Sequence, residues 1–423
     1  MSSHASVPNH RTDYDVIIIG AGIIGVAIAC YLQQSGQSVA LIDKKGIGLE
    51  TSKGNAGAFA FSDIMPLASP GIILKAPKWL FDPLGPLTIP PRYLPKILPW
   101  LIRFGWASRS SIFRKNSAVQ AQLMKLAAQE AKGLLAARGA LSMLRSDGAL
   151  ELYESEREFK AALPGWKLRE EQGIEFRHVR GAELAELQPG LSPSFVCATF
   201  TPKWQTVSDP YLVVKHLGES VLDNGGQLIV AGVRKLQPAG EGAEVILDDG
   251  RRLRSRNAIV ASGAWSKTFA ADLGDPVPLE TERGYNTTLP VSAFDLKRQL
   301  IFGGHGFVMT PLSTGIRVGG AVELGGLDLP PNFRRSDAML QKAAKFLPGL
   351  KTEGGTQWMG YRPSLPDSLP VIGPSTASRQ IIYAFGHGHL GLTQSAATGR
   401  LVTDLVLKRT PAMPVEPFSA SRF

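Results

Sequence analysis

The chain reads as a two-domain α/β protein, in which a doubly wound parallel-sheet domain built from separated segments carries an inserted α+β domain on a largely antiparallel sheet. Three observations predict this. The length, 423 residues, is about two to three times that of a usual domain. A strand, a glycine turn, a helix and a second strand open the chain, and strand alternation takes over between Val277 and Glu323. The composition, 44% hydrophobic and 19% charged with 45 Gly and 30 Pro, is ordinary for a globular protein and excludes disordered, collagen-like and coiled-coil classes.

The elements follow in order. Residues 1–12 are polar and read as a frayed terminus. Tyr14–Gly20 is a short β-branched run, Ile23–Ser35 a helix ending near Gly36, and Ser38–Asp43 a second strand. Residues 71–106 break the pattern, with seven prolines between Pro77 and Pro99 and tryptophans at 79, 100 and 106. Ser117–Arg138 is a long Ala/Leu/Gln/Lys helix, and Asp209–Asn224 another, stopped by Gly225-Gly226. Short strands are expected at Gln227–Val230, Gly232–Leu236, Glu244–Leu247 and Asn257–Val260. Phe307–Pro311 and Ile316–Val322 read as a hairpin around Ser313-Thr314-Gly315. Ser336–Phe346 is helical, Ile381–Phe385 a strand and Leu390–Leu407 a closing helix.

The apolar stretch Val16–Gln34 is no membrane span: three glycines interrupt it and its first residues favour a strand. Asp13 and Asp15 stand where a signal peptide would carry positive charge. A soluble or peripherally bound protein is expected. Cys30 and Cys197 are too few for a disulfide framework, an iron–sulfur cluster or a thiolate zinc site, and they fit a reducing, cytoplasmic compartment. The balance of 46 basic against 36 acidic residues gives +10, which suits nucleic acid, an anionic membrane or acidic substrates without choosing among them.

Gly20-Ala21-Gly22-Ile23-Ile24-Gly25 matches G-x-G-x-x-G between a strand and a helix. The first Gly permits the tight turn, the second lets backbone approach a pyrophosphate, and the third lets the helix pack on the strand. Phosphates would sit at the helix N-terminus, where unpaired N–H groups and the dipole favour negative charge. Asp43, 23 residues after Gly20, stands where an acid binds ribose hydroxyls. This unit predicts a dinucleotide and does not separate FAD from NAD.

Three further segments do. They are Thr51-Ser52-Lys53-Gly54-Asn55-Ala56-Gly57, Ile259-Val260-Ala261-Ser262-Gly263-Ala264-Trp265-Ser266 and Gly386-His387-Gly388-His389-Leu390-Gly391-Leu392-Thr393. With the glycine turn, they resemble the D-amino-acid oxidase superfamily of FAD-dependent oxidoreductases, in particular the bacterial D-amino acid dehydrogenases. The likeness runs from Tyr14 to about Pro411. It includes Gly360-Tyr361-Arg362-Pro363-Ser364-Leu365-Pro366-Asp367 and Pro370-Val371-Ile372-Gly373, similar to that branch's G-x-R-P-x-x-P-D-x-x-P-x-x-G segment.

The resemblance implies a Rossmann-like FAD-binding domain at 13–65, 181–274 and 352–423, and a substrate domain at 66–180 and 275–351. It assigns FAD contacts to Gly20, Gly22, Ile23, Ile24, Gly25, Asp43 and Lys44, and to the loop residues Ser52, Asn55, Ala56 and Gly57. Val233 would meet the adenine, and Ser262 and Gly263 would let backbone come close. Gly388, His389, Leu390, Gly391, Leu392 and Thr393 would open the last helix toward the flavin's N1–C2=O edge. Gly360 occupies the position ahead of the substrate motif where cysteine-linked relatives carry their cysteine, so the resemblance implies noncovalent FAD.

On the substrate side, Arg362 is expected to clamp an amino acid carboxylate in two parallel hydrogen bonds, fixing Cα–H over flavin N5. Tyr285 is a second candidate for the carboxylate, its alternative being a packed strand residue. His305, in Gly303-Gly304-His305-Gly306, either contacts substrate or is a solvated loop residue. The implied reaction is hydride transfer from a D-amino acid to flavin, giving an imino acid that hydrolyses to a 2-oxo acid and ammonia. The alternatives are a dehydrogenase for a cyclic secondary amine such as cis-4-hydroxy-D-proline, and a flavin-binding subunit of an electron-transfer complex.

Residues 71–120 carry eight basic residues (Lys75, Lys78, Arg92, Lys96, Arg103, Arg109, Arg114, Lys115) against Asp82 alone. This stretch either docks on an anionic bilayer at the inner face of the plasma membrane, with a membrane quinone as acceptor, or forms a proline-rich cover with solvated lysines. No motif supports nucleic-acid or metal binding.

Overall fold

The computed structural model describes residues 12–72 and 87–423; residues 1–11, and Lys75, Lys78, Trp79 and Asp82 of the basic stretch, lie outside the described residues. Among the described residues the first sheet has eight strands. Gln227–Val230, Val39–Asp43, Tyr14–Ile19, Arg252–Val260 and Ile381–Phe385 run parallel as its core, in that order. Gly242–Leu247 and Val233–Ala239 extend it as an antiparallel meander, and Val371–Pro374 pairs with Ile381–Phe385.

Val16, Ile17, Ile18 and Ile19 are buried on both faces, which is why this strand reads as a continuous apolar run. Helices Ile23–Gln34, Ser110–Ala137, Pro210–Asp223 and Gly391–Val406 share one core on one side of the sheet. The meander's Leu236, Val245 and Leu247 enclose the other side with Tyr383 and Phe385. Asp209 caps its helix by accepting from the N–H groups of Tyr211 and Leu212, with Pro210 at the first helical position.

Among the described residues the second sheet has nine strands, ordered Thr356–Ser364, Glu280–Leu289, Gly315–Leu324, Phe307–Leu312, Gln299–Phe302, Ala149–Tyr153, Cys197–Thr201 and Arg177–Val179, with Leu87–Thr88 beside Gly315–Leu324. It is antiparallel except at Leu87–Thr88 and where Gln299–Phe302 meets Ala149–Tyr153. The expected hairpin is present as Phe307–Leu312 and Gly315–Leu324.

Two features differ from the sequence reading. Leu94–Ala107 is a helix where a break in pattern was expected: Pro95 lies in the first turn, where its missing N–H costs nothing, leaving Pro99 as the interior breach. Strands Cys197–Thr201 and Thr356–Ser364 belong to the second sheet, although their segments were grouped with the first. The cross-over matters because Thr356–Ser364 carries Arg362.

Candidate active site

The site is built outward from the glycine turn. Gly20 has φ +110, and a Cβ there would run into the backbone of Ala261; one at Gly25 would run into the carbonyl of Gly20. Only glycine lets strand, turn and helix close this tightly. Ser52 Oγ accepts from the Ile23 N–H at 3.0 Å, and Asp43 accepts from the N–H groups of Ala21, Lys45 and Gly46 at 2.8–3.0 Å. A carboxylate offers about four lone-pair sites, so Asp43 keeps capacity for a ribose hydroxyl.

A cavity of about 380 Å³ runs along this turn. Gly20, Gly22, Ile23 and Ile24 line it at the helix end, with Asp43, Lys44, Ser52 and Asn55 alongside. Val233 and Ser262-Gly263 line it as well, as do Gly388, Gly391 and Leu392. Other expected contacts stand behind these. Gly25 packs beneath the turn, and the Gly57 N–H donates to Asn55 Oδ1. Thr393 Oγ1 accepts from Ala60 N–H and donates to the Ala58 carbonyl, while Leu390 is buried against Ala60 and Met124. His389 turns to Asp63 at 3.1 Å. Ala56 does not line the cavity.

The sequence reading missed several lining residues. Trp265 lines the cavity with Lys44 Nζ 4.4 Å from its ring, and Asp248 and Asp272 line it too. Trp265 was visible in the segment after the strand; the two aspartates carry no sequence signal. His387, in the glycine-rich segment expected beside the flavin, also lines the cavity, bonded to Thr398 Oγ1; burial pushes its imidazole down to about 3, so it is neutral at physiological pH.

The second sheet grips the loop that borders the cavity. Asn286 Nδ2 donates to the Gly54 carbonyl at 3.0 Å, and Arg317 donates to the Asn55 carbonyl at 2.6 Å. The indole of Trp358 occupies the space that a Cβ at either Gly54 or Gly360 would need. Trp358, Asn286 and Arg362 lie on one face of this sheet, because Asn286 pairs with Trp358 and Glu282 with Arg362.

Arg362 lies across Gly284, whose missing side chain leaves the guanidinium its place. Among the described residues it makes one hydrogen bond, Nη1 to the Ala321 carbonyl at 3.2 Å. Ala321 sits in a bulge opposite Gly284 with φ 54, a left-handed conformation that a non-glycine residue adopts at a cost. Burial lowers the arginine's pKa and Glu282 opposes that shift; an arginine stays charged regardless. Most of its five N–H donors are thus left to receive an anion.

Tyr285 and His305 do not join Arg362. Tyr285 is 1% exposed and points to the opposite face of its strand. Its hydroxyl donates to Glu323 at 2.5 Å and accepts from the Asn332 N–H. Burial, with Glu323 beside it, pushes that hydroxyl up to about 12. It is the packed strand residue, in a network where Arg283 meets Glu323 at 3.0 Å. His305 turns to Glu154 at 2.6 Å, its ring tilted against that of Phe346.

A doubly wound sheet, a glycine cradle and a cavity lined by both Val233 and Pro363 define a dinucleotide-dependent enzyme, and these residues fit FAD. The chain belongs to the DAO family, FAD dependent oxidoreductases, whose family model matches residues 15–405. It is 35% identical over 417 residues to a D-amino-acid oxidase of Bradyrhizobium diazoefficiens, covering 96% of this chain and 98% of that one. It is 30% identical over 418 residues to a D-amino acid dehydrogenase of Xylella fastidiosa, covering 96% and 95%. Among solved structures, glycine oxidase from Geobacillus kaustophilus superposes with a TM-score of 0.77 at 22% identity, covering 97% of this chain and 99% of that one. The protein is therefore an FAD-dependent oxidoreductase.

Proposed function

We propose that the protein is a D-amino acid dehydrogenase, oxidising the Cα–N bond to an imino acid that water converts to a 2-oxo acid and ammonia. The observation that carries the reading is Arg362, a guanidinium set across Gly284 on the sheet face that grips the cofactor loop, with donors to spare. It would hold the substrate carboxylate and so fix the orientation of Cα. Bound FAD supplies the acceptor for the hydride that leaves Cα. The amine reacts neutral, and no histidine is needed as its base. The names of the relatives at 35% and 30% identity support an amino acid substrate of D configuration.

Noncovalent FAD is part of this reading, since the Trp358 indole fills the space a side chain at 360 would need. Gly20, Gly22, Asp43, Ser52, Asn55, Ser262, Gly263 and Gly388 would hold it. For electrons leaving the flavin we favour a membrane quinone over dioxygen, on the surface described below.

The test is anaerobic flavin absorbance near ~450 nm, recorded against D-, L- and N-substituted amino acids. Bleaching by D-isomers alone is expected. Bleaching only by proline-like compounds would replace this substrate class with cyclic amines, and no bleaching with FAD bound would leave a flavin-binding subunit.

A further inference from the structure

We propose that the outer face of helix Leu94–Ala107 docks on an anionic lipid bilayer, which would place this enzyme at a membrane surface whichever amine it oxidises. The helix is amphipathic toward two different surroundings. Its inner face, Ile97 and Trp100 with Phe104 and Leu101, packs on Leu324 and Val322 of the second sheet. Its outer face presents Leu94, Leu98, Ile102 and Trp106, which are 45%, 50%, 65% and 48% exposed. These four stand four residues apart and so form one stripe along the helix, since each residue advances about 100°. They are a third of the twelve large hydrophobic side chains exposed among the described residues, so the apolar exposure is concentrated on one element.

The charge around the stripe favours lipid over a second protein surface. Residues 87–120 contain Arg92, Lys96, Arg103, Arg109, Arg114 and Lys115 and no aspartate or glutamate. Lys96 and Arg103, seven residues apart, share one flank of the helix, where Arg103 also donates to the Phe423 carbonyl at 3.1 Å. The Arg109 guanidinium lies 3.8 Å from the Trp106 ring centroid, extending an aromatic–cation pair from the helix end. Apolar side chains flanked by arginine and lysine, with a tryptophan at the edge, match an interface of acyl chains below anionic headgroups. A span is excluded as the mode of contact for the described residues, none of whose helices is long and apolar enough to cross a membrane.

The position of the helix gives the contact a purpose. Leu324, on which the inner face packs, pairs with Glu282, and Glu282 pairs with Arg362. The docking face is thus one packed layer from the strands that carry the substrate clamp, and a lipid-soluble acceptor would reach the protein on this side.

The experiment is sedimentation of the FAD-loaded full chain with vesicles of phosphatidylcholine alone, or with about 30% phosphatidylglycerol. The expected result is sedimentation with the anionic vesicles only, released by about 0.5 M salt. Ile102→Glu with Trp106→Glu should reduce bound protein about tenfold, while flavin absorbance and dye-coupled turnover stay at wild-type levels, showing the fold intact. Reversing charge with Lys96→Glu and Arg109→Glu should weaken binding while leaving the apolar stripe in place. The proposal is overturned by failure to sediment with anionic vesicles, or by undiminished binding of the Ile102/Trp106 variant. It is equally overturned if the stripe pairs two copies of the chain, seen as a dimer that this variant dissolves with vesicles ignored. Sedimentation needs no turnover, so a wrong substrate assignment would leave this result unchanged.

Discussion

The guanidinium of Arg362 occupies the volume that a β-carbon on Gly284 would fill. Two strands therefore have to agree on one position, glycine on Glu280–Leu289 and arginine on Thr356–Ser364. Gly284→Ala should displace the guanidinium from Ala321 and raise the KM for amino acid by about tenfold or more, with a smaller effect on FAD absorbance. Arg362→Ala should weaken the substrate further, by about 100-fold if a charge-assisted pair is lost. Steady-state kinetics on both variants check the pair; an unchanged KM in Arg362→Ala would remove the clamp.

The indole of Trp358 touches Gly54 on one side and Gly360 on the other. A methyl at 360 would push it toward the cofactor loop. Gly360→Ala should lower thermal stability by about 1–3 kcal/mol, as overpacked sites do, and should release FAD more readily on dilution. Melting curves with and without added FAD separate the two effects.

His387 is protonated in the unfolded chain below about 6.5 but held neutral in the fold down to about 3 by burial. The unfolded state therefore binds the extra proton between these values. The stability that the neutral histidine contributes is complete above pH 6.5 and is lost as the pH falls toward 3. Urea midpoints measured from pH 7 to pH 4 should fall for the wild type. The fall should be shallower in His387→Asn, by up to about 1.4 kcal/mol per pH unit.

Glu323 neutralises a buried corner of the second sheet, with Arg283 at 3.0 Å, Arg335 at 3.8 Å and the Tyr285 hydroxyl at 2.5 Å. Glu323→Ala should cost about 3–5 kcal/mol, because it removes the carboxylate paired with the buried Arg283. Tyr285→Phe should cost about 1–3 kcal/mol and leave the KM unaltered. A raised KM in a stable Tyr285→Phe protein would return that hydroxyl to the substrate.

The parts of this architecture that local chemistry dictates were legible in the sequence. Tyr14–Ile19, Ile23–Gln34 and Val39–Asp43 fall within a residue or two of expectation, because the apolar strand, the obligatory glycines and the helix stop act over a few residues. The strand Cys197–Thr201 was not legible, since its partners are Ala149–Tyr153 and Arg177–Val179 and its place is set by tertiary pairing. Arg362 was found through the motif around it, yet its position depends on Gly284 and Ala321, distant in the chain. Tyr285 faces away from Arg362 for a matter of parity, standing three residues from Glu282 on one strand. Asn286 and Arg317 were missed because single polar residues on strands carry no pattern.

The loop at 53–55 is anchored through Asn286, Arg317 and Trp358 to the sheet that carries Arg362, the proposed substrate clamp. Cofactor loading and ordering of the substrate wall therefore draw on the same contacts. A ligand that steadies this loop stabilises the native chain by mass action, and the stabilisation reaches the second sheet through these three side chains. A chain folding without FAD would thus present a loosened substrate wall, and divergence in substrate preference on that wall would register as altered flavin affinity.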